Sequence, residues 1–166
     1  MLKEKHVAHK DRLVAVIIIV VVLGALAYWI TTADISAVNS PGRIESSIAN
    51  GLREWYIGRG AKRVPAPTVA NNAENISQGE ALYSMSCAQC HGMDARKPMP
   101  MGEWMYPRVP NLSSADTQEM SDKEIFWVIK NGIRLSGMPG FAKLSTDPEI
   151  WQMTYYVRSL GAKPAK

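Results

Sequence analysis

The sequence predicts an all-helical protein with one membrane-spanning helix, an amphipathic helix after it, and a small helical domain at the C-terminal end. Three observations favour this fold class. Residues 13–30 form a run of 18 residues without a charge, and three later segments begin with the Ser/Thr-x-x-Glu pattern that caps helices. The long loop at residues 92–112 lacks the alternation of apolar and polar residues that predicts a strand.

The uncharged run at residues 13–30 is the predicted transmembrane helix. As a helix it is roughly 27 Å long, close to the ~30 Å hydrocarbon core of a bilayer. A cleaved signal peptide is the alternative, since a basic start, an apolar run and Ala25-Leu26-Ala27 resemble its three regions. The run is longer than the ~7 to 15 apolar residues usual for a signal peptide, so we expect an uncleaved anchor.

Charge predicts the orientation of this helix. The next basic residue after it is Arg43, whereas four precede it: Lys3, Lys5, Lys10 and Arg12. Because basic residues stay on the cytoplasmic side, we expect residues 1–12 in the cytoplasm. The rest of the chain then lies in the periplasm or extracytoplasmic space, anchored to the cytoplasmic (inner) membrane by a single pass.

The net charge of +4 is unevenly distributed along the chain. Residues 43–63 carry five basic and two acidic residues, whereas residues 74–166 carry ten of each. A near-neutral domain does not support nucleic-acid binding. The predicted transmembrane helix makes the lipid bilayer an expected partner.

An amphipathic helix is predicted at about residues 41–58. Ser40 and Pro41 are typical of an N-cap followed by proline at the first helical position. One stripe at helical spacing is apolar: Ile44, Ile48, Leu52 and Trp55. Two interpretations are open: the helix packs on its own C-terminal domain, or it lies on the membrane surface or docks a partner subunit.

Composition predicts a boundary after this helix. Residues 64–75 contain two prolines and several polar residues, which is typical of an extended linker. The predicted organisation has four parts: an N-terminal segment at 1–12, a transmembrane helix at 13–30, a connector at 31–73 and a C-terminal domain at 74–166.

Three capping boxes predict three main helices in the C-terminal domain: Ser77-x-x-Glu80, Ser121-x-x-Glu124 and Thr146-x-x-Glu149. The first helix is expected to run to about Cys87. Gly132 and Gly161 are the expected C-terminal stops of the second and third.

Both cysteines of the chain lie in Cys87-Ala88-Gln89-Cys90-His91, the C-x-x-C-H signature of c-type haem attachment. Two thiols one helical turn apart suit addition to the two vinyl groups, and the adjacent imidazole suits the iron. A structural zinc site would need four protein ligands, yet the other histidines, His6 and His9, precede the predicted span. A thioredoxin-like pair expects a βαβ setting. We therefore predict one covalently attached haem c with His91 as an axial ligand.

Methionine is the expected second axial ligand, because the predicted domain has no second histidine. Met138 follows the second predicted helix and leaves ample chain after His91 to reach the other haem face. Met99 and Met101 are alternatives whose simpler role is to fill gaps in the packing. The His/Met pair is the ligand set of cytochromes with raised potentials.

From about Glu74 to Lys166 the chain resembles class I c-type cytochromes. The resemblance rests on five stretches: Cys87–His91, Pro110-Asn111-Leu112, Asn131-Gly132-Ile133-Arg134, Gly137-Met138-Pro139 and the segment at 150–160. It implies a haem domain of three main helices around one haem, in which the first and last helices cross beside the cofactor.

The resemblance also implies roles for single residues. Gly79 and Tyr83 match the glycine and aromatic residue of the first helix, with Met153 and Tyr156 at the matching places on the last. Pro110 matches the proline whose carbonyl accepts a hydrogen bond from Nδ1 of the haem histidine.

Beyond the resemblance, Arg108 is a candidate to pair with a haem propionate. An equally simple interpretation is that Arg108 is a solvent-exposed surface residue.

Iron held by both His91 and Met138 has no position open for a substrate, so we expect an electron carrier rather than an enzyme. It would relay single electrons on the extracytoplasmic side of a respiratory or photosynthetic membrane. The expected partner is a membrane complex: a reaction centre, a quinol-oxidising complex, an oxidase or a dehydrogenase. A bound subunit is favoured over a free tethered shuttle because residues 43–60 predict a folded element. A haem-based redox or gas sensor, or a haem enzyme, is the alternative from another class.

Overall fold

The structure is a computed structural model that describes residues 2–34, 36 and 38–161. Every regular element in these ranges is a helix, which confirms the predicted all-helical class. The helices are α1 (Leu2–Thr32), α2 (Arg43–Ala61), α3 (Ala73–Ser86), α4 (Ala88–His91), α5 (Pro100–Trp104), α6 (Ala115–Gln118), α7 (Asp122–Asn131) and α8 (Asp147–Ser159). The side chains of Lys3, Lys5, His6, His9 and Lys10, and residues 162–166 of the predicted C-terminal domain, lie outside the described part.

Helix α1 contains the predicted membrane span. Its segment Asp11–Thr32 has 22 residues and a mean hydropathy of 3.0, long and apolar enough to cross a bilayer. Its apolar side chains are exposed within the chain, as expected for a helix surrounded by lipid. The chain forms two compact units, Met1–Asn39 with α1 and Ser40–Lys166 with the remaining helices.

Helix α2 differs from the predicted helix at both ends. Its N-cap is Gly42, without a side-chain cap, so the cap predicted at Ser40 is wrong. The helix continues through Gly58 and Gly60 to Ala61. Close packing explains the extension, because a Cβ atom at Gly60 would overlap the indole ring of Trp127 on α7.

The two faces of α2 have different surroundings. Ile57 and Ala61 are buried, and this face packs against α7. The predicted apolar stripe lies on the opposite face and is exposed, with 55–78% of each residue accessible: Ile44, Ile48, Leu52 and Trp55. The helix therefore packs on its own domain, but not through the stripe that the sequence singles out.

The segment after α2 is packed rather than extended freely. Val64 is buried in the core, and its carbonyl accepts a hydrogen bond of 2.9 Å from Nζ of Lys123. The hydroxyl of Tyr155 donates to the carbonyl of Val69 at 3.0 Å. The two valines bury apolar surface against the helical domain, so this segment differs from the linker that composition predicts.

Two of the three predicted capping boxes form. The carboxylate of Glu124 accepts hydrogen bonds from the backbone and hydroxyl of Ser121, and Glu149 does the same for Thr146. The box predicted at Ser77 is wrong, because α3 begins four residues earlier and is capped by the Asn72 side chain.

Helices α3 and α8 cross in close contact, as the resemblance implies. A Cβ atom at Gly79 would overlap the backbone carbonyl of Gln152, so only glycine permits this approach. The rings of Tyr83 and Tyr156 lie 5.0 Å apart at the same crossing. Helix α7 joins α8 through the ion pair of Lys130 with Asp147 at 2.5 Å.

Candidate functional site

A cavity of about 350 Å³ lies in the C-terminal unit. Its lining comes from α2, the end of α3, α4, α6 and α7, and from the loops before α6, α7 and α8. A second cavity of about 100 Å³ shares seven lining residues with the first, among them Cys87, His91 and Met138. The sequence-predicted attachment motif and the predicted methionine ligand therefore line one connected region.

The attachment motif forms a single helical turn. Cys87 ends α3 and precedes α4, and its carbonyl accepts from the amides of Cys90 at 3.0 Å and His91 at 2.9 Å. Both thiols are free and half-buried, and burial together with the neighbouring Cys90 raises the pKa of Cys87 to about 11. This turn brings two thiols and one imidazole to the same cavity wall.

The described part of the chain contains no set of side chains that could bind a structural zinc ion. No group of three or more His, Cys, Asp or Glu side chains comes together there. Structural zinc takes four such ligands.

His91 lines this cavity and is half-buried. Burial lowers the pKa of the imidazole, and the carbonyl of Pro110 opposes that shift. Nδ1 of His91 has no hydrogen bond of normal geometry among the described residues. Pro110 lines the same cavity and its carbonyl acts on the imidazole as a hydrogen-bond acceptor would, and the role of Pro110 stays a prediction.

Tyr83 supports the attachment turn from α3. Its hydroxyl donates to the carbonyl of Gly92 at 2.7 Å, directly after His91. Only 1% of Tyr83 is exposed, and burial raises its pKa, so the hydroxyl stays protonated and able to donate. The resemblance matches Tyr83 only to the aromatic residue of the first helix, and this hydrogen bond is an additional finding.

Met138 lies on a loop that its own hydrogen bonds hold in place. Its carbonyl accepts from the amide of Ile133 at 3.2 Å, and its amide donates to the hydroxyl of Ser136 at 3.2 Å. Gly132 starts the loop with a φ of 68°, and any side chain there would meet the backbone of Met138 and Gly140. Met138 is half-buried against the core.

The methionines that line the cavity besides Met138 are not the alternative ligands that the sequence suggests. Met99 and Met101 are exposed and do not line either cavity in the described part of the chain. Met105 and Met120 do line the larger cavity. Their distance from His91 along the sequence could not identify Met105 and Met120. The loop after α5 and helix α6 place them at the cavity through the tertiary fold.

Two arginines reach the cavity. Arg108, which the sequence predicts as a propionate partner, is exposed at its rim. Arg53 of α2 is half-buried and also lines the cavity. Nothing in the sequence pattern indicates a role for Arg53, because the amphipathic analysis places it simply on the polar side of α2.

The side chains at this cavity fit a c-type haem. Two thiols can form thioether bonds, the His91 imidazole and a methionine thioether can ligate iron, and arginines can pair with carboxylates. The rest of the lining is mostly apolar, including Ile57, Val128 and Phe141, which suits a porphyrin.

Comparisons with known proteins agree with this chemistry. Residues 74–157 match the family model described as cytochrome C oxidase, cbb3-type, subunit III. The cbb3-type cytochrome c oxidase subunit CcoP of Rubrivivax gelatinosus is 32% identical over 101 residues, which are 60% of this chain and 31% of that protein. The chain thus spans about a third of the length of this relative.

Two solved structures are similar to part of the chain. The KustC0563 c-type cytochrome is 28% identical, with 51% of this chain and 98% of that chain covered and a TM-score of 0.45. The reducing HAO-like protein complex of Kuenenia stuttgartiensis is 26% identical, with 59% of this chain and 51% of that chain covered and a TM-score of 0.47.

Proposed function

Since the chain belongs to the cbb3-type cytochrome c oxidase subunit III family and is a membrane-associated c-type cytochrome, we propose that it relays single electrons within an oxidase complex. In this proposal Cys87 and Cys90 would hold one haem covalently, and His91 and Met138 would bind its iron. The haem domain lies on the extracytoplasmic side of the cytoplasmic membrane.

One observation carries this proposal: the two thiols of the attachment turn, the His91 imidazole and Met138 line a single cavity. Bound haem supplies an iron that gains and loses one electron. His91 and Met138 would hold this iron, so that a substrate would find no free position on it. Apolar lining keeps water away, and the bond from Tyr83 to Gly92 fixes the end of the attachment turn.

The partner that we propose is the remainder of a cbb3-type oxidase, in line with the family match. A bound subunit is supported by α2, which presents four exposed apolar side chains on the face away from its own domain. The apolar segment of α1 supports attachment to the bilayer. Alternatively, the chain would carry electrons as a shuttle that is tethered to the membrane but not bound to a complex. The exposed apolar stripe of α2 favours a bound subunit over this shuttle.

A haem-based sensor or enzyme remains the contrasting function. It would require the methionine to leave the iron and open a coordination position. The backbone bonds that hold the Met138 loop support a fixed ligand instead.

A two-dimensional gel of gently solubilised membranes tests the proposed function. A native first dimension followed by denaturing separation and haem staining reports assembly and covalent attachment together. We expect stain on this chain after denaturation, and we expect that chain to come from a high-mass complex with oxidase subunits.

Variants of the stripe test how the chain is held in that complex. Ile48→Glu combined with Leu52→Glu should move the stained chain to low mass, because two charges would be placed in an apolar contact. Asn50→Glu, an exposed position on the other side of α2, is the matched control and should stay in the complex. Stain only at the mass of the free chain in the unaltered protein would contradict the bound-subunit proposal.

A further inference from the structure

Helix α2 forms part of the cavity wall although it precedes the residues that match the family. The match begins at residue 74, whereas α2 ends at Ala61. Arg53 and Ile57 both line the cavity, and residues four apart share one face of a helix. The cavity therefore has a wall that the family match does not account for.

Several contacts fix α2 in this position. Ile57 and Ala61 are buried, and Gly60 lies so close to Trp127 of α7 that no side chain fits between them. Lys123 of α7 then holds the chain just after the helix through its 2.9 Å bond to the carbonyl of Val64. These contacts make α2 a permanent wall of the cavity.

Arg53 brings a positive charge to this mostly apolar wall. It is half-buried, and the two ion pairs among the described side chains, Lys130–Asp147 and Arg158–Asp122, do not involve it. The other charged or titratable side chains that line the cavity are Cys87, Cys90, His91, Arg108 and Asp116. Asp116 is the only carboxylate among these residues and is exposed, so the positive charges of the lining exceed the negative ones.

We infer that α2 is part of the haem site, in which Arg53 binds a haem propionate and Ile57 covers the porphyrin. This inference rests on the proposed function. A half-buried guanidinium without a carboxylate partner is stabilised by an anionic group, and its planar fork matches a carboxylate. Ile57 supplies buried apolar surface one turn further along the same face, where water would otherwise reach the macrocycle.

The test compares variants of the purified full-length holoprotein by redox titration at a series of pH values. Arg53→Gln should lower the midpoint potential, because loss of a nearby positive charge favours ferric iron. It should also move the pH-dependent step of the potential to higher pH, since a carboxyl group without its cationic neighbour has a higher pKa. Arg53→Lys keeps the positive charge but loses the planar guanidinium group. Its midpoint potential and the pH of its pH-dependent step should lie between those of the parent and of Arg53→Gln.

Arg43→Gln is the matched control, because it removes the same charge from an exposed position of α2 that does not line the cavity. It should leave the potential and its pH profile as in the parent. A haem-loaded Arg53→Gln protein that titrates like Arg43→Gln would overturn this inference alone. A parent protein without haem would overturn the proposed function as well.

Discussion

At the scale of single residues, Tyr83 shows how a buried polar group positions the attachment turn. Its ring packs against Tyr156 while its hydroxyl binds the carbonyl of Gly92, one residue beyond His91. The same side chain thus contributes to the helix crossing and to the orientation of the predicted iron ligand. A buried hydroxyl is stable only with such a partner.

Replacement of Tyr83 by phenylalanine should destabilise the holoprotein by about 0.5 to 1.5 kcal/mol, because the Gly92 carbonyl would keep only its longer hydrogen bond of 3.2 Å from the Ala95 amide. Denaturant unfolding followed by the haem absorption measures this loss. Tyr56→Phe on the exposed side of α2 is the control and should change stability by less than about 0.5 kcal/mol. Equal stability of the two variants would argue against a structural role for the hydroxyl.

Residue roles that depend on motifs could be predicted from sequence, whereas roles that depend on tertiary contacts could not. The cysteines and His91 are recognisable because the chemistry requires their spacing. Met105 and Arg53 reach the cavity only through the folding of distant segments, and no local pattern distinguishes them from ordinary packing and surface residues. The roles of Pro110 and Arg108 stay predictions.

At the scale of helices, the crossing of α3 and α8 organises the domain. Gly79 permits the contact because a side chain there would collide with the carbonyl of Gln152. On α8, the residues that face the interior are consistently buried, including Ile150, Met153 and Val157. The crossing places Cys87, at the end of α3, beside the cavity.

Gly79→Ala should therefore destabilise the protein by about 1 to 3 kcal/mol or more, since overpacking forces the two backbones apart. Gly51→Ala is the matched control, because nothing lies within 4 Å of a Cβ atom at that position of α2. There the change should stabilise by up to about 1 kcal/mol through helix propensity. Thermal unfolding measures the stability of both variants relative to the parent. A Gly79→Ala protein as stable as the parent would contradict the close crossing of α3 and α8.

Helix prediction succeeded where a cap and an apolar face agreed, as at Ser121 and Thr146. It failed at Ser77, because a capping box is a short pattern that also occurs inside helices, and Asn72 provides the actual cap. The segment around Val64 looked like a linker because prolines and polar residues outnumber its valines. Its burial depends on contacts with Lys123 and Tyr155 that composition cannot indicate.

At the scale of the whole molecule, the chain combines a helix long and apolar enough to cross a membrane with a helical domain that holds a cavity suited to haem. Tethering raises the effective concentration of an electron carrier near its membrane partners. Helix α2 lines the cavity with one face and leaves the apolar stripe of its other face exposed. The predicted orientation, with the domain outside the cytoplasm, follows from the basic residues before the span and stays a prediction.

The central claim is that His91 and Met138 hold the iron of a covalently bound haem. The most direct measurement is the absorption spectrum of the purified holoprotein, ferric and then reduced under carbon monoxide, for the parent and three methionine variants. We expect the parent to show an iron–thioether charge-transfer band and no carbon monoxide binding. Met138→Ala should lose the band, bind carbon monoxide and have a lower potential, whereas Met105→Ala and Met120→Ala should resemble the parent. A Met138→Ala protein that keeps the band, or a purified chain with zinc in place of haem, would contradict the account.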